Sequence, residues 1–198
     1  MEVENIITKN QSRENILQAA TRLFHLRGYH ATGLNQILKE SGAPKGSLYY
    51  HFPNGKEQLA AEAIQLSGQI IAANIQTNLS VFDEPIEAFQ YNIQLIAKEF
   101  EHIDQLAELP TVPLGLLAAE TALVNDTLRS LCEETFELWE TLYIEKLLAG
   151  GYSEERAHLI GTTLNALIEG GVTLSLTRKS SDPLLQIQQL IPLLLADK

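Results

Sequence analysis

"PKGSLYYHFPNGKEQL", residues 44 to 59, gathers a lysine, a glycine, two adjacent tyrosines, a histidine and a second lysine ahead of a new helix signal. Five polar heads, on Lys45, Tyr49, Tyr50, His51 and Lys56, are too many for a buried core to satisfy at once. They suit a surface that meets something negatively charged with flat faces. Leu48 and Phe52, four residues apart, share one face of a helix and point to a small core, which leaves Lys45, Ser47, Tyr49, Tyr50 and His51 near or on the other side. Gly46 among them lets backbone come close to a partner with no side chain in the way.

The flanking sequence completes a helical unit. From Ser12, a plausible N-cap, apolar residues at Ile16, Leu17, Ala20, Leu23 and Phe24 trace one face of a helix that ends before Gly28. Thr32 can cap a short second helix carrying Leu34, Ile37 and Leu38, and "SGAP", residues 41 to 44, is a turn. The third helix begins near Pro44 and runs to His51. Asn54 followed by Glu57 is a capping-box pattern that opens a long helix to about Asn78. Two short helices joined by a glycine-bearing turn beneath a longer one make a helix-turn-helix, whose second helix enters the DNA major groove. In that setting Lys45 can donate to guanine, the Ser47 and tyrosine hydroxyls can reach phosphates, and a tyrosine ring can press on a thymine methyl. The helix N-termini near Thr32 and Asn54 supply further anion donors. His51 and Tyr50 could equally serve packing, and both readings stand.

The formal charge of −11 argues against a nucleic-acid partner only until it is divided along the chain. Residues 1 to 56 hold seven Lys or Arg and four Glu, a net of +3; residues 57 to 198 hold seven basic and twenty-one acidic residues, a net of −14. A basic head on an acidic body fits a chain of which one end meets a polyanion. A single cysteine, Cys132, excludes an internal disulfide. It stands among acidic neighbours in "RSLCEETFELWE", which suits a small buried residue better than a nucleophile. His25, His30, His102 and His158 are scattered without metal-ligand spacing, so no metal and no cofactor are expected. No signal-peptide pattern and no apolar stretch of spanning length near the C-terminus are seen, and the expectation is a cytoplasmic protein that does not meet a membrane.

The run from Ile16 to Ile64, "ILQAATRLFHLRGYHATGLNQILKESGAPKGSLYYHFPNGKEQLAAEAI", resembles the N-terminal domain of TetR-type transcriptional repressors, most specifically through "GSLYYHF" with "KEQL" behind it. "FPNGKEQLA" is similar to the LmrA/YxaF-like branch. The resemblance implies DNA contact from Lys45, Gly46, Tyr49, Tyr50 and His51, with Thr32 and Lys56 on phosphates. Asn54-Gly55 adds a residue relative to many members, directly ahead of Lys56.

The acidic remainder reads as a helical bundle, with helices expected over Pro85 to Asp104, Leu114 to Val124, Asp126 to Ala149, Ser153 to Thr177 and Asp182 to Ala196, and breaks at "ELPTVP" and "LAGGYS". The expected fold is all-α, with a helix-turn-helix domain over residues 1–53 and a regulatory and dimerisation domain over residues 54–198. Gly161, Leu164, Ile168, Gly171, Val172 and Ser175 recur at spacings of three and four, a stripe of apolar and small residues along which two helices can approach closely. With Leu184, Ile187 and Ile191 of the last helix it is a candidate homodimer face, the arrangement the resemblance implies; an intramolecular core helix is the other reading.

Phe82, Phe89, Tyr91, Phe100, Phe136, Trp139 and Tyr143 are enough aromatic surface to line a cavity, although aromatics at helical spacing also build plain cores. The resemblance implies a small hydrophobic inducer among these helices. Glu120, Asn165 and Glu169 are candidate polar groups to orient it, and acidic ones favour a cation. The reading is a one-component repressor that binds operator DNA as a dimer and is released by a ligand. Its rivals are a small helical enzyme acting on an apolar substrate, for which no catalytic constellation is seen, and a DNA-binding protein without a ligand.

Overall fold

The computed structural model describes residues 2–101 and 113–196. Among them all regular structure is helical and no strand occurs, as the apolar periodicity requires: α1 Glu2–Ala31, α2 Leu34–Ser41, α3 Lys45–His51, α4 Gly55–Leu79, α5 Pro85–Glu99, α6 Leu114–Thr121, α7 Asp126–Ala149, α8 Glu154–Arg178 and α9 Asp182–Leu194. Most of the break expected at "ELPTVP", the end of the helix expected to reach Asp104, and His102 lie outside the described residues.

Two compact units form. One holds α1, α2, α3, α4 as far as Gly68, α6, and α7 as far as Glu133; the other holds α4 from Gln69, α5, α7 from Glu134, α8 and α9. The expected division at residues 53 and 54 differs from this, because α6, distant in sequence, packs on α1.

In the first unit α1 buries Ile16, Ala19, Ala20, Leu23 and Phe24, the three-and-four spacing of one helical face, against Ile37 of α2 and Leu48 of α3. Ser12, expected as the cap, lies inside α1. Gly28 interrupts the helix at φ 76°, ψ 172°, a conformation open to glycine alone. Thr32 does not cap α2. Its hydroxyl is buried and lies 2.8 Å from the Gly28 carbonyl, to which it donates, while Gly33 takes the cap position with its N–H donated to Gln36 Oε1 at 3.1 Å. Gly42 at φ 64° ends α2 in the left-handed conformation. Cys132 is buried, which pushes its thiol up to about 11 and keeps it neutral.

The second unit is built on Phe89 and Ile93 of α5, Tyr143 and Leu147 of α7, Ile160, Leu164 and Ile168 of α8, and Leu184 and Ile191 of α9. Ser153 caps α8, accepting from the Arg156 N–H at 3.3 Å. By length and composition alone α8 could cross a bilayer, but one side of it is buried against its neighbours. Pro192 inside α9 has no N–H for the Gln188 carbonyl four residues earlier. Gln90 of α5 supplies the missing donor, its Nε2 lying 3.2 Å from Gln188 O, and Gln188 Nε2 donates back to Gln90 O at 3.1 Å.

The stripe expected at a dimer face is instead largely this unit's own core. Gly161, Leu164, Ile168, Gly171, Ser175, Leu184 and Ile191 are buried within one chain, and Val172 and Ile187 are half-buried. A Cβ on Gly161 would lie 2.7 Å from Ile144 Cγ1 of α7, and one on Gly171 would lie 2.6 Å from Ile187 Cδ1 of α9. Small residues allow a close helix approach without specifying the partner, and α7 and α9 of the same chain take it. The outward side of α8 and α9 is a shallow groove of about 330 Å³, lined by Ala166, Leu167, Gly170, Leu174, Ile187 and Leu190.

Candidate nucleic-acid interface

The third helix is less than two turns long and stands on two anchors. Leu48 and Phe52 have no exposed surface, and the Phe52 N–H donates to Leu48 O at 2.8 Å to close the last turn. Lys45, Gly46, Tyr49 and Tyr50 are exposed, with Tyr50 keeping 68% of its surface in solvent. Ser47 and His51 are half-buried, the His51 ring standing edge-on to Tyr50 at 4.9 Å. A large aromatic held this far out forgoes the burial that normally places tyrosines. Gly46 adds to this. A Cβ there would meet nothing within 4 Å, so the chain's own packing does not require glycine. Glycine inside a helix costs up to about 1 kcal/mol relative to alanine, so the chain's own fold gives no reason for it.

Two residues expected on phosphates are engaged within the chain. Thr32 is buried as described, its hydroxyl spent on the kink. Lys56, half-buried, lies over the Tyr29 ring at 4.4 Å from the centroid and donates to the Tyr29 carbonyl at 3.1 Å. Burial, and then the Glu57 carboxylate, push the Tyr29 phenol up, so it stays neutral beneath the ammonium. The extra residue at Asn54-Gly55, with Gly55 at φ 63°, starts α4 so that Lys56 reaches the end of α1.

The same corner is gripped by Glu120, which was expected in the ligand site. Its carboxylate on α6 accepts the Tyr29 N–H at 2.5 Å, its backbone carbonyl lies 3.1 Å from His30 Nε2, and Gly28 has no room for a Cβ beside it. The kink exposes the Tyr29 amide, and a carboxylate is a strong acceptor for it. The sequence holds no signal for this pairing, because its partners are 91 residues apart.

Of the other residues expected around a ligand, Phe89 and Tyr143 stack edge-on at 5.7 Å, and burial, then the Glu169 charge, push the Tyr143 phenol well above its usual range while the Asn92 amide pulls it back. Phe136 and Trp139 pair at 5.7 Å, and Asn165 Nδ2 donates to the Phe136 carbonyl at 3.3 Å, so that amide is engaged in packing. Phe100 is buried. Asn92 was missed. It has no exposed surface, its Oδ1 accepts from Asn78 Nδ2 at 3.0 Å, and its amide faces the Tyr143 phenol. Its signal in the sequence is a lone amide on the apolar face of α5.

Residues 16–63 match the family model for bacterial regulatory proteins of the tetR family, and residues 85–190 match that for the C-terminal domain of LmrA/YxaF-like transcriptional regulators. Over 191 residues the chain is 49% identical to the HTH-type transcriptional regulator YxaF of Bacillus subtilis strain 168, covering 96% of this chain and 98% of that protein. The HTH-type transcriptional regulator LmrA of the same organism is 51% identical over 184 residues, covering 93% of this chain and 96% of its own. A solved TetR transcriptional regulator from Chloroflexus aurantiacus J-10-FL shares the fold at a TM-score of 0.80 and 22% identity, over 96% of this chain and 97% of that one.

Proposed function

This chain belongs to the TetR family of transcriptional regulators, in its LmrA/YxaF-like branch, and from that premise we propose that it is a one-component repressor: a homodimer that holds two operator half-sites and lets go when a small hydrophobic ligand binds. It is a DNA-binding regulator and not an enzyme. The observation that carries the DNA reading is the strip on α3, with Lys45, Gly46, Tyr49 and Tyr50 exposed above the buried Leu48 and Phe52. We assign base contact to Lys45 and Tyr49, backbone approach to Gly46, and phosphate contact to Ser47, Tyr50 and His51.

Selection of bound duplexes from a random pool supplies the operator, and two variants then test the strip. Lys45→Ala should cost on the order of 1 to 3 kcal/mol of operator affinity and relax preference at one base pair. Gly46→Ala should raise the melting temperature slightly, by up to about 1 kcal/mol of helix propensity, while weakening operator binding. Unchanged operator affinity in both variants would remove α3 from the major groove.

The dimer reading rests on the outward groove of α8 and α9, a mainly apolar face that also carries Arg178 and Gln186. Two half-sites on one side of DNA lie about 34 to 36 Å apart, and a ligand that favours another spacing of the heads lowers operator affinity by its differential affinity for the two states. Phe89, Tyr143, Glu169 and Asn92 are the residues we place at the ligand: aromatic faces for an apolar body, an acidic group that favours a positive one, and a buried amide beside the Tyr143 phenol. The measurement is a screen of apolar compounds for release of labelled operator. For any compound found, the factor it takes from operator affinity should equal the factor the operator takes from its own binding. Asn92→Leu should weaken the compound and leave ligand-free operator affinity within about twofold, since the amide is remote in sequence from α3 and its loss removes a buried polar group.

A further inference from the structure

The C-terminus of α3 and the N-terminus of α4 are joined by one side chain. Helix ends leave carbonyls and amides without partners, and a helix of seven residues has few others to hold it. A capping box from Glu57 is the expected solution for α4, but Gln58 takes the position. Its Oε1 accepts the Asn54 N–H at 3.2 Å, and its Nε2 donates to the His51 carbonyl of α3 at 3.3 Å and to Glu62 Oε1 at 3.0 Å. Glu62 Oε2 pairs with Arg13 Nη2 of α1 at 2.5 Å, and the Arg13 guanidinium lies 5.2 Å from the centroid of the Phe52 ring. The path closes on itself: end of α3, Gln58, Glu62, Arg13, and Phe52 beside the end of α3.

Only a primary amide of this length fills the place. It needs an acceptor for Asn54 and two N–H groups, one for His51 and one for Glu62. A carboxylate would lose both donors and stand against a carbonyl and a second carboxylate; methionine keeps the shape and loses all three bonds.

We infer that Gln58 is a positioning residue for operator recognition, fixing the angle of α3 on α4 so that Lys45 and Tyr49 meet base edges. The inference rests on α3 as the reading helix. Contacts to bases require side chains in register with the groove, whereas contacts to phosphates tolerate a helix that tilts. Opening the loop should therefore lower sequence preference while leaving general DNA affinity in place.

The experiment compares the selected operator with a random duplex of equal length, at one salt concentration, for the full chain and for Gln58→Met, Gln58→Glu and Glu62→Gln, with thermal melts alongside. Gln58→Met should lower operator affinity about tenfold, the size of one lost base-pair preference, with random-duplex affinity within about twofold. Gln58→Glu should lose at least as much, and Glu62→Gln, which cannot accept from Gln58 and Arg13 with equal strength, about threefold. The variant Glu62→Gln carries the same expectation of lost preference should Gln58→Met fail to fold. Equal losses on both duplexes, or no loss on either, in a folded variant would overturn the inference. Lys45→Ala separates the two failures: if it too leaves operator preference intact, α3 is not the reader; if it abolishes preference while Gln58→Met does not, α3 reads and Gln58 does not position it.

Discussion

Gly28→Ala is expected to destabilise the chain by roughly 3 kcal/mol or more, through backbone strain and loss of a charge-assisted hydrogen bond. The backbone at φ 76°, ψ 172° is open to glycine, and forcing a side chain into it costs about 1 to 3 kcal/mol. The added methyl also occupies the place of the Glu120 carboxylate, so the Tyr29 N–H loses its acceptor at 2.5 Å, a further loss of about 1.5 to 3 kcal/mol. Against a typical total of about 5 to 15 kcal/mol this is a large fraction, visible as an early denaturation midpoint. Glu120→Ala alone should cost about 1 to 3 kcal/mol by leaving that amide unmatched. The double variant should cost less than the sum, since the lost hydrogen bond is counted once and the overlap is gone. Additive losses in chemical denaturation would show that the carboxylate and the kink do not act together.

Leu174→Glu and Leu190→Glu are expected to turn the proposed dimer into monomers and to lower operator affinity by about a hundredfold or more, because one head alone holds a single half-site. Both side chains are two-fifths or more exposed in a single chain, at 46% and 40%, so a charge there leaves the protomer's own fold intact. Buried in an interface, the same charge loses its hydration, a cost of several kcal/mol that an ion pair seldom repays. Gly171→Leu makes the contrast. Its Cβ meets Ile187 Cδ1 at 2.6 Å and Leu184 Cδ2 at 2.9 Å inside one chain, so overpacking there should cost about 1 to 3 kcal/mol of folding stability before it touches assembly. Sedimentation at micromolar concentration decides: a wild-type mass of one chain, or a Leu174→Glu protein that still sediments as two, would place the interface elsewhere.

What the sequence made legible follows from the range of the forces involved. Leu48 and Phe52 fall one helical turn apart, so the buried and open sides of α3 could be read from spacing alone, and the structure has them so. The all-helical fold followed from the same periodicity over longer stretches. The contacts that Glu120, Thr32 and Lys56 make within the chain were not legible, because each answers a polar group exposed by the Gly28 kink, and a kink creates partners that no local pattern announces. Glu57 and Gln58 differ by one register step, decided by where Gly55 lets α4 begin. The stripe on α8 announced a close contact but not with what: within the chain Gly161 meets α7 and Gly171 meets α9, since small residues record the distance of a neighbour and not its identity.

The placement of α6 bears on how such a protein can be recombined. Its DNA-reading unit is not one uninterrupted length of gene: α6 and the start of α7 return to it from beyond α5. A crossover at residue 53 that carried the first three helices onto a foreign body would take along a broken α1 whose Tyr29 amide had lost its carboxylate and whose flank had lost α6. A chimaera made that way from this chain's head should lose about 1 to 3 kcal/mol unless the incoming body brings an acceptor to the same corner, and the residue to match is Glu120, well outside the segment being exchanged.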